Sequence, residues 1–169
     1  MAVVPLLAAL ACGSAEEKAA EQQRAERTAM SEVETTAASA AAAPATGLWS
    51  EAHLLDRLVR AGVAPRRMED PPVGPDWMPG EPIAINAGGG QVFAWIFTDS
   101  TARRAVTGAL EERTGAPEGR SAPYAPPMRF IVQNNLAAYL TGGTERNQDR
   151  VALALTAGLP VSSNPGTTP

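Results

Sequence analysis

The segment Gln91-Val-Phe-Ala-Trp-Ile-Phe97 constrains the fold of this chain more than any other. Its unbroken apolar run is rich in β-branched and aromatic side chains, the composition of a β-strand. Period-two geometry sets Phe93, Trp95 and Phe97 on one face and Val92, Ala94 and Ile96 on the other. A strand with one wet face alternates apolar with polar residues, and this one does not. Either it is central in a sheet covered on both sides, or one of its faces is an exposed contact strip, with Phe93, Trp95 and Phe97 the possible partner surface. Core packing is the simpler reading, with the aromatic set buried against the helices that carry Leu58 and Val106.

The surrounding pattern gives that strand its neighbours. Pro82-Ile-Ala-Ile-Asn86 reads as a preceding strand, joined to it across Gly88-Gly89-Gly90 as a hairpin. Arg129-Phe-Ile-Val-Gln133 and Leu136-Ala-Ala-Tyr-Leu-Thr141 form a second hairpin, turned by Asn134-Asn135, since asparagine tolerates positive φ. A helix capped by Ser50 runs to Ala61 with Leu54, Leu55, Leu58 and Val59 on one face. A second starts at Asp99 or Ser100, carries Ala102, Ala105, Val106, Ala109 and Leu110, and stops at Gly115. A third opens at Gly142-Gly143-Thr144 and carries Val151, Leu153, Ala154 and Leu155. The Pro-rich stretches between these elements read as connections. The order helix–hairpin–helix–hairpin–helix predicts an α+β fold, with a four-stranded, mainly antiparallel sheet and helices on one face.

Composition excludes several chemistries. Cys12 is the only cysteine and His53 the only histidine, so neither a Cys/His zinc cage nor an intrachain disulfide can form. With 14 basic and 18 acidic side chains the net charge is -4, which argues against a nucleic-acid scaffold. No cofactor or metal is expected.

The N-terminal part has a different character. Residues 1–12 are apolar and end in Ala9-Leu10-Ala11-Cys12, too short a run to span a bilayer but suited to a secretory signal peptide. This ending resembles a bacterial lipoprotein cleavage box, which implies lipidation of Cys12 and attachment to a membrane through the lipid. Ala9 stands where leucine is usual, and no basic residue precedes the apolar run. Residues 13–46 carry six acids against three bases and only Met30 and Val33 as larger apolar side chains. They read as a disordered or transiently helical tether. Residues 47–159 form the α+β domain, and 160–169 have no periodicity and read as a disordered tail.

The run Leu54-Leu55-Asp-Arg-Leu-Val-Arg-Ala-Gly62, Pro79-Gly80 and Gln91-Val-Phe-Ala-Trp-Ile-Phe-Thr-Asp99 resembles a family of small, uncharacterised exported bacterial lipoproteins. So do Ala125-Pro-Pro-Met-Arg-Phe130 and Asn135-Leu-Ala-Ala-Tyr-Leu-Thr-Gly142. The resemblance implies an exported α+β domain in the cell envelope, with no assigned activity and no catalytic residue to carry over.

Each other candidate has a plain structural reading. His53 lies in the first turn of its helix, without a recognisable serine or cysteine nucleophile motif. Gly88-Gly89-Gly90 sits between strands, where a phosphate loop would need a following helix. Gly142-Gly143-Thr144 does precede a helix and could offer backbone N–H groups to an anion, but a tight capped turn needs the same residues. Glu69, Asp70, Asp76 and Glu81 lack the spacing of a calcium loop. Arg66-Arg67 and Arg103-Arg104 read as solvated faces. The expected function is that of a lipid-anchored envelope protein, non-catalytic, acting as an accessory or binding module for an unknown envelope protein. A small protein inhibitor is the alternative, and an envelope hydrolase a more distant one.

Overall fold

The computed structural model describes residues 46–159 and, before them, Ala20, Gln23, Arg24, Arg27 and Ser31. The chain divides into two units, residues 1–32 and 33–169. In the first, those five positions are helical and exposed. Cys12, the expected signal segment 1–12, most of the tether 13–46 and the tail 160–169 lie outside the described residues.

In the second unit the order of elements is α1 (Glu51–Arg60), β1 (Pro65–Arg67), β2 (Ile83–Ala87), β3 (Gly90–Ile96), α2 (Ser100–Thr107), β4 (Met128–Gln133), β5 (Leu136–Gly142) and α3 (Glu145–Thr156). The fold is α+β. All strand pairs are antiparallel, and the sheet order is β1-β2-β3-β5-β4. The expected four strands are therefore five. Pro65-Arg66-Arg67, which the sequence presents as part of a Pro-rich connection, pairs with Ala87, Asn86 and Ile85 as an edge strand. Three residues show no period, and proline is compatible with an edge because that side of the ladder needs no N–H.

The two hairpins close as their turn residues dictate. Ala87 pairs with Gly90, leaving Gly88 (φ 59) and Gly89 (φ 87) as a two-residue loop in a conformation that glycine adopts without strain. Gln133 pairs with Leu136 around Asn134, whose φ is 50.

β3 is the middle strand, and both its faces are covered. On one side Val92 and Ala94 pack with Ile85, Leu136, Ala138 and Leu140 of the sheet, and with Leu54, Leu58, Val151 and Leu155 of α1 and α3. On the other, Phe93 and Trp95 pack with Ala84, Ala137 and Tyr139, under Met78, Trp77, Val106, Leu110 and Tyr124. The expectation of helices on one face is corrected by this arrangement. Two helices cover one face, while α2 and two Pro-containing connections cover the other. Leu58 is likewise corrected: it lies on the Val92 side, whereas Val106 does meet the aromatic side.

Each of these three helices begins where a side-chain oxygen can satisfy free backbone N–H groups. Ser50 accepts from His53 N in α1, Asp99 from Thr101 N and Ala102 N in α2, and Thr144 from Asn147 N in α3. α2 ends at Thr107 with Gly108 as its cap, not at Gly115. Ala105 and Ala109 are exposed, so no apolar stripe continues to hold a longer helix against the sheet.

Candidate functional site

The aromatic strip resolves into core. Phe93 is 1% and Trp95 4% exposed, and Phe97 is half-buried against the same cluster. Phe93 and Trp95 are therefore not free to form the expected partner strip, since Tyr124, Trp77 and Met78 pack in the same cluster, while Phe97 at the strand end keeps partial exposure. Phe93 stacks on Tyr124 with ring centroids 4.6 Å apart, and Trp95 meets Tyr139 edge-on at 5.9 Å.

Tyr139 is the hub of this cluster. Register sets it between Phe93 and Phe130 on the neighbouring strands. Its hydroxyl donates to Gly115 O, and Trp77 Nε1 donates to the same carbonyl at 2.9 Å. Gly115 has φ 62, and a methyl group there would meet Tyr139 Cε1 at 2.5 Å and Phe130 Cγ at 2.6 Å. Glycine is thus required for the connection to cross the ring faces. Burial raises the pKa of both phenols. Tyr124 is pushed up to about 12 by burial and by Tyr139 beside it. Tyr139 is raised by burial, with the hydrogen bond from Trp77 acting the other way. The Tyr124 hydroxyl is buried without a hydrogen-bond partner.

The remaining candidates are held in structural roles. His53 Nδ1 lies 2.9 Å from Ser50 Oγ, the oxygen that caps the same helix. His53 stands at the position of the Glu or Gln of a capping box, but its ring meets the Ser50 side chain and not the Ser50 backbone N–H. Chemically, an imidazole within hydrogen-bond reach of a hydroxyl is also the first requirement of a serine nucleophile. The sequence places the two residues three apart at a helix start, so their contact was readable once the cap was assigned.

Gly142-Gly143-Thr144 is packed against the β2–β3 hairpin. Asn147 Nδ2 donates to Ala87 O at 2.9 Å, and Gln148 Nε2 donates to Gly142 O at 2.9 Å and Pro127 O at 2.8 Å. The turn therefore ties three elements together, which accounts for its residues. Of the acidic candidates, Asp76 pairs with Arg120 at 3.1 Å, and Arg120 in turn lies over the Trp77 ring. Among the described residues no group of His, Cys, Asp and Glu is arranged to hold a metal ion. Arg67 pairs with Glu51, and Arg103 Nε donates to Asn134 O at 2.9 Å.

Comparison with protein-family models, with curated proteins and with solved structures gives no match.

Two features escape sequence reading. One is a cavity of about 320 Å³ framed by the loop from Pro71 to Pro82. Pro71, Pro72, Val73 and Met78 give it an apolar lining, and Asp76 and Glu81 add carboxylates. Val73 is 94% exposed. An apolar opening of this size with a few polar groups is the usual form of a small binding site. The prolines of 71–82 mark a loop, but no local pattern predicts that it encloses space. The second is the outer edge of β4, which among the described residues ends the sheet without cover from another strand. Among the described residues no helix is long and apolar enough to cross a membrane.

Proposed function

We propose that this chain is an exported domain of the bacterial cell envelope, anchored through a lipid on Cys12, that acts without catalysis as an accessory or binding module. The loop 71–82 is the observation that carries the binding role. It presents an apolar, acid-bearing cavity and the exposed side chain of Val73, while Ser50, His53, Asn147 and Gln148 are engaged in holding the fold. Anchoring rests on the apolar run that ends at Cys12, and on the resemblance of the strand and cap pattern to exported lipoproteins.

A photo-crosslinking side chain placed at Val73 in the full chain tests the binding role in intact cells. It should give a discrete adduct that the same group at exposed Glu118 does not. Equal labelling at both positions would remove the loop as a binding site. If the adduct is an envelope enzyme whose activity falls on binding, the alternative of a small inhibitor replaces the accessory role. Anchoring is tested separately: the chain should incorporate fatty acid and partition into detergent, and Cys12→Ala should do neither.

An envelope hydrolase is the second reading, favoured by the 2.9 Å contact between Ser50 Oγ and His53 Nδ1. A serine-reactive phosphonate probe that labels Ser50, and fails to label His53→Ala, would establish it in place of the first.

A further inference from the structure

The two edges of the sheet are built differently. β1 is three residues long, begins with a proline and exposes Arg66 and Arg67, all features that discourage further strand pairing. β4 has six residues and no proline within it, and its one charge, Arg129, pairs with Asp149 of α3 at 2.6 Å.

The direction of the β4 backbone groups follows from its register. The hairpin closes at the pair Gln133 and Leu136, and at the other end Gly142 N donates to Pro127 O at 3.1 Å. Alternate residues of an antiparallel strand bond to the same neighbour, so Pro127, Arg129, Ile131 and Gln133 turn their backbone polar groups toward β5. Met128, Phe130 and Val132 turn theirs outward. Among the described residues, none of the turn, loop or cap hydrogen bonds reaches them. Their side chains share the aromatic face of the sheet, where Val132 is 38% exposed.

We propose that β4 pairs with β4 of a second copy of this chain, antiparallel across a twofold axis at Phe130, so that two five-stranded sheets become one. The outward groups are centred on Phe130, and a twofold there sets every outward N–H against an outward C=O. Met128 then faces Val132 of the second copy and Phe130 faces its own equivalent, so apolar side chains meet apolar side chains. Charge favours the same register: Arg129 faces Ile131 of the second copy, not another cation. Pairing β1 with its own copy around Arg66 would set arginine against arginine. Pairing β4 with β1 of another molecule would leave free edges and build an open filament, whereas the twofold closes at two. This inference does not depend on the lipid anchor or on the loop 71–82.

The full chain carrying Cys12→Ala leaves no native thiol and provides the background for the test. Sedimentation should show a reversible monomer–dimer equilibrium. Val132→Pro removes an outward N–H and no bond to β5, and replaces a side chain that is already 38% exposed, so the fold should persist by circular dichroism. It should weaken self-association about a hundredfold through the two backbone bonds lost across the axis. Register is read by disulfides. Residues directly opposite at a hydrogen-bonded pair lie about 5.5 Å apart, within disulfide reach. A mixture of Met128→Cys and Val132→Cys chains should therefore crosslink as a heterodimer, while Val132→Cys alone should not crosslink to itself. A strictly monomeric chain would overturn the proposal and leave the edge to a strand from another protein. A dimer indifferent to Val132→Pro, or a species that grows beyond two, would overturn it equally.

Discussion

The side-chain amide of Asn135 grips both backbone groups of Trp49: its oxygen accepts from Trp49 N at 2.7 Å and its nitrogen donates to Trp49 O at 3.0 Å. The same nitrogen donates to Phe97 O at 2.7 Å. A hairpin turn ordinarily faces water. Here Asn135 is 2% exposed and fastens the segment before α1 to the end of β3.

Removing that side chain should therefore be costly. Asn135→Ala removes the partner of two buried backbone groups of Trp49 and of the part-buried Phe97 carbonyl, and each buried group left unpaired costs about 1–3 kcal/mol. Asn135→Asp should be no better, because a carboxylate cannot donate to the carbonyls of Trp49 and Phe97. Thermal melts should fall for both, and protease cleavage near Trp49 should be faster than in the parent chain.

The tyrosine hydroxyls give opposite expectations. Tyr139→Phe deletes the donor to Gly115 O and should cost about 1 kcal/mol. Tyr124→Phe deletes a buried hydroxyl that has no partner, so stability should hold or rise. Chemical denaturation of the two variants side by side checks the assignment, since equal losses would contradict it.

Stability should also fall at alkaline pH, in a definite window. Burial raises both phenols in the folded state, so folding favours their neutral forms. That contribution is complete below the ordinary tyrosine value of about 10 and is lost as pH rises. Tyr124 sets the upper end, at about 12. Phenolate absorbance should thus appear together with loss of near-ultraviolet circular dichroism, not ahead of it. Tyr124→Phe should shift the transition upward.

What the sequence shows and what it hides follow from how far each signal reaches. The caps at Ser50, Asp99 and Thr144, the Gly88–Gly89 turn and the apolar faces of β3 and β5 are local, and all are legible. β1 is not, because three residues carry no period and its pairing partner lies at Ile85–Ala87. Nor is the cover of the aromatic face. The rings of Trp77 and Tyr124 arrive from Pro-rich connections, whose composition announces a loop without saying what the loop covers. The cavity at 71–82 and the place of β4 at the end of the described sheet are hidden for the same reason: each is a property of chain segments in relation, and no short stretch encodes it.

The two faces of β3 supply the last prediction. An exposed Val92–Ala94–Ile96 face would tolerate Ile96→Glu, and an exposed aromatic face would tolerate Trp95→Ala. The structure covers both faces, with Val92 at 1% and Trp95 at 4% exposed. Trp95→Ala should cost about 3–5 kcal/mol, the loss expected for a large buried aromatic side chain. Ile96 is less deeply placed, at the margin of the cluster formed by Leu54, Leu58 and Leu136. Glutamate there would carry a charge to the edge of an apolar layer, with partial access to water at the strand end. The expected order of stability in urea is therefore parent, then Ile96→Glu, then Trp95→Ala, with both variants clearly destabilised. Parent-like behaviour of either variant would mean that its face is open.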